Sequence, residues 1–178
     1  MSEKRKTFEG EIYFVTLTVV GWIDIFTRQK YADILIENLK YCQLKEGLKI
    51  YAYVIMSNHI HIIAKRENSS LNLTELLGRF KSFTAKKIIN ELEEDNHESR
   101  KEWLLYLFKF YAKNNKQYSK HHFWHYTNHP VELYTNEVID QKINYIHQNP
   151  VRAGIVTDEA YYFYSSANPD SPLIIDDL

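Results

Sequence analysis

Two short runs of this chain carry side chains that metal and phosphoryl-transfer chemistry use. The first is His59-Ile60-His61. In a β-strand, residues i and i+2 point to the same face, so both imidazoles can converge on one metal ion while Ile60 packs on the other side. Neutral imidazole is the commonest metal ligand in proteins. The same pattern also describes two exposed histidines at a strand edge, and spacing alone does not decide between the two accounts. The second run is Tyr145-Ile146-His147-Gln148-Asn149-Pro150. On a helix Tyr145 and Asn149 stand one turn apart and share a face, so a phenol and an amide oxygen project together. Taken alone, that spacing favours a plainer account, a half-buried aromatic followed by a helix-ending residue before proline.

Both runs need elements to hold them. Residues 11–20 (EIYFVTLTVV) are rich in β-branched and aromatic types and predict a strand. Residues 30–44 place Tyr31, Ile34, Leu35, Leu39 and Cys42 on one helical stripe, which Glu46-Gly47 closes. Residues 49–56 (KIYAYVIM) and 59–65 (HIHIIAK) predict two strands around a Ser57-Asn58 turn, a hairpin that carries the histidine pair. Residues 72–92 form a long amphipathic pattern with Asn72 as cap and Glu75 three residues on. A charged connection at 93–100, a short helix at 101–112, a polar mobile stretch at 114–120 and a short strand at 122–125 follow. Residues 135–149 predict the last long helix, capped by Thr135 or Asn136 and carrying Tyr145. It is expected to stop at Asn149, because residues before proline avoid the α region. This order predicts an α+β fold: a ferredoxin-like split βαβ sandwich of about four strands, with helices on one face of an antiparallel sheet. His59 and His61 are expected to look toward the Tyr145 helix. Nothing marks a second domain within 1–178.

Composition narrows the function classes. The chain is 44% hydrophobic, enough for a globular core, and has no apolar run near the ~18 residues that span a bilayer. The N-terminal run Met1-Ser2-Glu3-Lys4-Arg5-Lys6 lacks an apolar segment behind its charges and does not read as a secretory signal. Cys42 is the only cysteine, which excludes an internal disulfide and a CxxC metal site and fits a cytoplasmic setting. The net charge of −1 argues mildly against a nucleic-acid binder, yet residues 151–178 hold −4 of it and leave +3 before them. The abundant tyrosines suit base stacking, and a β-containing core explains most of them as well.

Read together, the motifs carry a family likeness. They are YFVTLTV in the first strand, AYVIMSNHIHII over 52–63, LGRFKSFTAK over 77–86, Phe123-Trp124, YIHQNPVRAGIV over 145–156, and Tyr164-Ser165-Ser166-Ala167. In this order they resemble the HUH-type tyrosine transposases, in their REP-associated branch. The resemblance implies that His59 and His61 bind a divalent metal, Mg²⁺ or Mn²⁺, and that Asn149 completes the site. It implies that Tyr145 is the single nucleophile and that Lys81 and Arg152 contact DNA. Helix C-terminal capping explains Arg152 equally well. The implied partner is single-stranded DNA, with a hairpin or palindromic repeat beside the cut, and no membrane. A homodimer fits the resemblance, since some members exchange the tyrosine helix between subunits and others act as monomers. The chain departs from the family where His125 follows Trp124 in place of a frequent Gln, and where residues 93–122 exceed the most compact relatives.

Two other readings compete. A zinc hydrolase also begins with an HxH pair, but such barrels are larger and draw further ligands from later strands. A non-catalytic ferredoxin-like nucleic-acid-binding module would stack bases on strand aromatics such as Tyr51 and Tyr53. It leaves His59, His61, Tyr145 and Asn149 without a role. Cys42, Trp22, Trp103 and Trp124 are expected to be packing residues, and Lys86-Lys87 and Glu93-Glu94-Asp95 solvated ones.

Overall fold

In the computed structural model, residues 7, 11–67, 72–113 and 120–178 are described. The expected mobile stretch, apart from Lys120, and the N-terminal run lie outside these residues. The elements are β1 (Tyr13–Thr18), α1 (Gln29–Lys45), β2 (Leu48–Ile55), β3 (His59–Arg66), α2 (Leu73–Glu94), α3 (Lys101–Lys113), β4 (Val131–Glu132) and α4 (Asn136–Arg152). The sheet order is β2-β3-β1-β4, and every hydrogen-bonded neighbour pair is antiparallel. β3 lies between β1 and β2, the signature of a split βαβ unit.

Alternation along β1 and β3 sorts side chains between two cores. Tyr13, Val15, Leu17, Ile60, Ile62 and Ala64 face the larger one, with Leu35 and Leu39 of α1, Phe80 and Ile88 of α2, and Phe108 of α3. The expected layout of helices on one face therefore holds for α1 and α2. The opposite face is also apolar, because Phe14, Ala52, Val54 and Ile63 point there and need a cover. α4 supplies it with Ile139 and Ile146, backed by Ile143, at helical spacing. The sheet is thus covered on both sides.

Local signals set most boundaries. The Asn72 side chain accepts from the Glu75 N–H and the Glu75 carboxylate accepts from the Asn72 N–H, the expected capping box. Thr135 caps α4 by accepting from the Val138 N–H. Two expectations need correction. α4 does not stop at Asn149 but runs through Pro150 to Arg152. Proline lacks only its own N–H, so in a last turn it forfeits one helical bond while the Ala153 N–H still reaches the Asn149 carbonyl. Residues 122–125 are not a strand. They make one bridge, Val19 to Trp124, and the fourth strand is Val131–Glu132 instead. Two residues are too few to show alternation in sequence.

The C-terminal segment covers the outer edge of β2. Ser165 bridges to Val54, the Ile55 N–H donates to the Tyr164 carbonyl, and the Asp176 carboxylate accepts from the Ile50 N–H at 2.9 Å. An exposed sheet edge is thereby closed. No helix among the described residues is long and apolar enough to cross a membrane.

Gly47, between α1 and β2, has φ +71°, and a Cβ there would stand 2.1 Å from the Glu67 backbone oxygen. Gly47→Ala should therefore cost roughly 1–3 kcal/mol or more from backbone strain, beyond the clash. Gly78 on α2 has nothing within 4 Å, so Gly78→Ala should stabilise by about 0.4–1 kcal/mol. Urea unfolding midpoints check both, and midpoints that move in the same direction contradict the contrast.

Candidate active site

β3 delivers the histidine pair to the face that α4 covers. In the β1–β3 register Thr16 is opposite His61 and Thr18 opposite His59. The two imidazole centroids are 4.7 Å apart with planes at 70°. His61 is buried and stacks on Phe14 at 5.3 Å, and its Nδ1 is 2.8 Å from the Thr16 hydroxyl oxygen. His59 Nδ1 is 2.7 Å from Asn58 Oδ1. The amide of Asn58 is oriented by its other end: Nδ2 donates to the Asp24 carboxylate at 2.9 Å and to the Trp22 carbonyl at 3.3 Å. With Oδ1 facing the imidazole, His59 Nδ1 must carry the proton and donate. The Nε2 lone pair of His59 is then free, the tautomer a metal ligand needs.

Burial keeps both rings neutral. Desolvation pulls the His61 pKa down to about 3, with the neighbouring His59 ring and the Lys142 ammonium acting in the same direction. Burial lowers His59 as well, against the opposing pull of Asp24. Neutral imidazoles with occupied Nδ1 atoms fit a divalent ion bound through nitrogen. The pair is no three-ligand set by itself, and no group of three or more His, Cys, Asp or Glu placed to hold a metal ion occurs among the described residues. An amide oxygen is therefore the kind of third donor this site can recruit.

α4 brings the second run against the first. The Tyr145 ring meets His61 edge-on at 5.3 Å and Phe14 at 6.0 Å, and remains 37% exposed. One turn on, Asn149 donates from Nδ2 to the Tyr145 carbonyl at 2.7 Å, so Oδ1 is its uncommitted end. The Arg152 guanidinium carbon is 5.8 Å from the Tyr145 ring centroid. Lys142, which the sequence reading passed over, holds its ammonium 4.8 Å from the Phe14 ring and 5.6 Å from the Tyr145 ring. Its position three residues before Tyr145, on the same helix face, was the available signal. His147 ties α4 to the C-terminal segment through Ser166 at 2.8 Å.

Lys81 lies elsewhere in the arrangement. Its ammonium donates to the His125 carbonyl at 2.7 Å, the Tyr126 carbonyl at 3.3 Å and Asn128 Oδ1 at 2.7 Å. That loop runs along β1, where the His125 N–H reaches the Thr18 carbonyl and the Thr16 N–H reaches the Asn128 carbonyl. Lys81 thus steadies β1, whose Thr16 hydroxyl meets His61. Tyr51 and Tyr53 are both buried, which removes them as stacking platforms. Cys42 is buried in the core as expected, its thiol pushed up to about 11 by burial. Trp124 is a packing residue, but Trp22 and Trp103 are exposed, contrary to expectation.

The split βαβ sheet thus sets an HxH strand against a tyrosine-bearing helix. The family model described as "Transposase IS200 like" matches residues 17–106, and the chain belongs to that family. The matched stretch holds His59, His61 and Lys81 and ends before α4. Among solved structures, a REP-associated tyrosine transposase bound to a REP hairpin superposes with a TM-score of 0.61 at 16% identity, over 93% of this chain and 82% of that one. No curated protein matches the chain.

Burial lowers the pKa of His59, His61, His122 and His147 below the ordinary histidine value. Below the unfolded value of about 6.5 the unfolded chain binds more protons than the native one. Stability of the metal-free protein should therefore be full above that pH and fall on acidification from pH 7 to 5, before most carboxylates titrate. Thermal or urea melts in chelator across this window test it, and a flat profile contradicts it.

Proposed function

We propose that this transposase nicks and rejoins single-stranded DNA through a 5′-phosphotyrosine formed on Tyr145. The observation that carries the reading is the place of His61, whose ring meets His59 at 4.7 Å and Tyr145 at 5.3 Å on one face of the sheet. Metal-ligand chemistry and a nucleophile of the right kind are thus adjacent. His59, His61 and Asn149 Oδ1 would hold the ion. When bound, Mg²⁺ or Mn²⁺ polarises a phosphoryl oxygen and offsets its charge. Two imidazoles and an amide oxygen suit Mn²⁺ better, while Mg²⁺ prefers an all-oxygen shell.

The steps assigned to the chain's own groups are few. The Tyr145 oxygen attacks a backbone phosphorus, and the bond from phosphorus to the 3′ oxygen breaks. The phenolic proton leaves, and the departing 3′ oxygen takes one up. One phosphodiester is exchanged for another, so the free 3′-hydroxyl can reverse the step or join a new strand without nucleotide hydrolysis. Lys142 and Arg152 place positive charge beside the attacking ring and favour a phosphate there. Arg152 is a proposed DNA contact, while Lys81, whose ammonium is engaged by the loop at 125–128, is proposed to position that loop for DNA. The partner is a single strand beside a hairpin or palindromic repeat, since base pairing obstructs close approach of one strand's phosphate. A cytoplasmic setting belongs to the same reading.

The test uses labelled DNA hairpins with single-stranded flanks. With Mn²⁺ or Mg²⁺ a covalent protein–DNA adduct should form and map by mass spectrometry to Tyr145. Tyr145→Phe should abolish the adduct and leave binding nearly unchanged, since it removes one oxygen. His59→Ala, His61→Ala or chelation should each abolish nicking, while Asn149→Ala should recover activity at higher Mn²⁺. An adduct on another tyrosine refutes the assignment, and full activity in chelator refutes the metal role. Fully paired duplex of the same sequence should be cut far more slowly, and equal cutting of both forms contradicts the single-strand preference.

A further inference from the structure

Trp22 sits at the rim of the His59–His61–Tyr145 centre and is not packed away. Its side chain is 63% exposed, and its indole meets the His59 ring edge-on at 5.7 Å. The backbone that presents it is strained: Gly21 has φ +61° and Trp22 itself has φ +54°. A bulky residue at positive φ is a genuine outlier, and such outliers gather at functional sites. The bend is held from several sides. The Trp22 N–H donates to the Val19 carbonyl, and Asn58 Nδ2 donates to the Trp22 carbonyl. At Gly21 an added Cβ would stand 2.3 Å from the Tyr111 hydroxyl oxygen, so the Tyr111 side chain of α3 lies directly against this bend.

Tyr111 leads outward along α3. Its ring meets Phe110 at 5.6 Å, and Phe110 stacks with Tyr106 at 6.4 Å. Trp103, Tyr106 and Phe110 are all exposed, and their spacing puts them on one stripe of the helix. Lys109 and Lys113 lie beside that stripe, with Glu102 on the same helix and Glu93 of α2 near Lys109. From Trp103 to Phe110 the stripe runs roughly 10 Å along the axis, the length of two or three stacked nucleotides. Aromatic faces beside lysines suit bases and phosphates of an unpaired strand. An apolar protein partner would not call for the lysines.

We propose that the strand leaving the catalytic centre stacks bases on Trp22 and then on the Trp103, Tyr106 and Phe110 stripe of α3, with Lys109 and Lys113 taking its phosphates. The inference rests on the single-strand reading of the active site and assigns that strand a path.

Binding is best measured on the Tyr145→Phe protein, which holds DNA without cutting it. The probes are a fluorescein-labelled thymidine 20-mer and an abasic 20-mer of equal charge. The thymidine strand should bind about tenfold or more tightly than the abasic one, and should quench tryptophan fluorescence from Trp22 and Trp103, since Trp124 is buried. Trp22→Ala and the pair Tyr106→Ala with Phe110→Ala should each lose about tenfold toward the thymidine strand and almost nothing toward the abasic strand. Trp22→Tyr should restore most of the loss, which separates stacking from a folding defect. Equal loss toward both strands, or no loss, overturns the path. So does a change in sedimentation of the DNA-free α3 variant, because the stripe would then hold a second copy. Covalent adduct formation by the Tyr145 protein is scored separately. An adduct with no stacking contrast sinks only the path, and a stacking contrast with no adduct sinks only the nicking reading.

Discussion

The β1–β3 pairing is the constraint on which the candidate site depends. Thr16 opposite His61 and Thr18 opposite His59 is one register among several that two apolar strands can adopt. A slip of one residue would turn both imidazoles toward α1 and α2 and bring Ile60 and Ile62 to the α4 side. Burial on both faces forbids it. One face needs Ile60, Ile62 and Ala64 in the larger core, and the other needs Ile63 against Ala52 and Phe14. A histidine pair on a strand buried on both faces is therefore locked more firmly than one on a solvent-facing strand. The register irregularity between Ile50 and Ala52 on β2 lets that strand keep its own apolar sets aligned with β3.

Placing α4 is a separate problem, and its solution lies at the far end of the chain. α4 packs on β2 and β3 through few large residues, Ile139 and Ile146 foremost. Polar ties supplement them. His147 bonds to Ser166, Gln148 to Glu159, and Tyr162 donates to the Ile55 carbonyl at 2.7 Å. Ser166 itself accepts from the Tyr53 N–H at 3.0 Å. The Tyr164-Ser165-Ser166-Ala167 run thus closes the β2 edge and clamps the tyrosine helix over the histidines in one stroke. It is a positioning device distant in sequence from both halves of the site.

Much of this was legible in the sequence, and the misses have physical causes. Strands and helices with several periods of apolar repeat stood out, and so did the Asn72 capping box. β4 was not visible because two residues have no period. Pro150 misled because the rule about residues before proline weighs local sterics, while a last helical turn loses only one bond. The HxH and Tyr145 motifs pointed to the candidate site, but its supports were silent. Thr16 looked like any strand threonine, and Asn58 like any turn residue. Their roles depend on which atom faces an imidazole nitrogen, which only the register decides. Trp22 was hidden for a different reason. Nothing in the run Val20-Gly21-Trp22-Ile23 distinguishes a buried tryptophan from one held outward on a left-handed bend.

The supports share one rule. Each proposed ligand commits one polar atom to the fold and keeps the other uncommitted. His61 gives Nδ1 to Thr16, His59 gives Nδ1 to Asn58, and Asn149 gives Nδ2 to the Tyr145 carbonyl. Each side chain is then restrained before any ion arrives, so less rotamer entropy remains to be lost on binding. The same economy would let a chain with a net charge of −1 take up the proposed divalent cation and a phosphate together. No carboxylate is among the proposed ligands, and the nearby Asp24 is held back behind Asn58. The cations beside Tyr145, Lys142 and Arg152, ride on the same helix as that tyrosine. Moving α4 would therefore move Tyr145, Asn149 and the positive charge as one body relative to the histidines, and the contacts at Ser166 help decide how firmly that body is held.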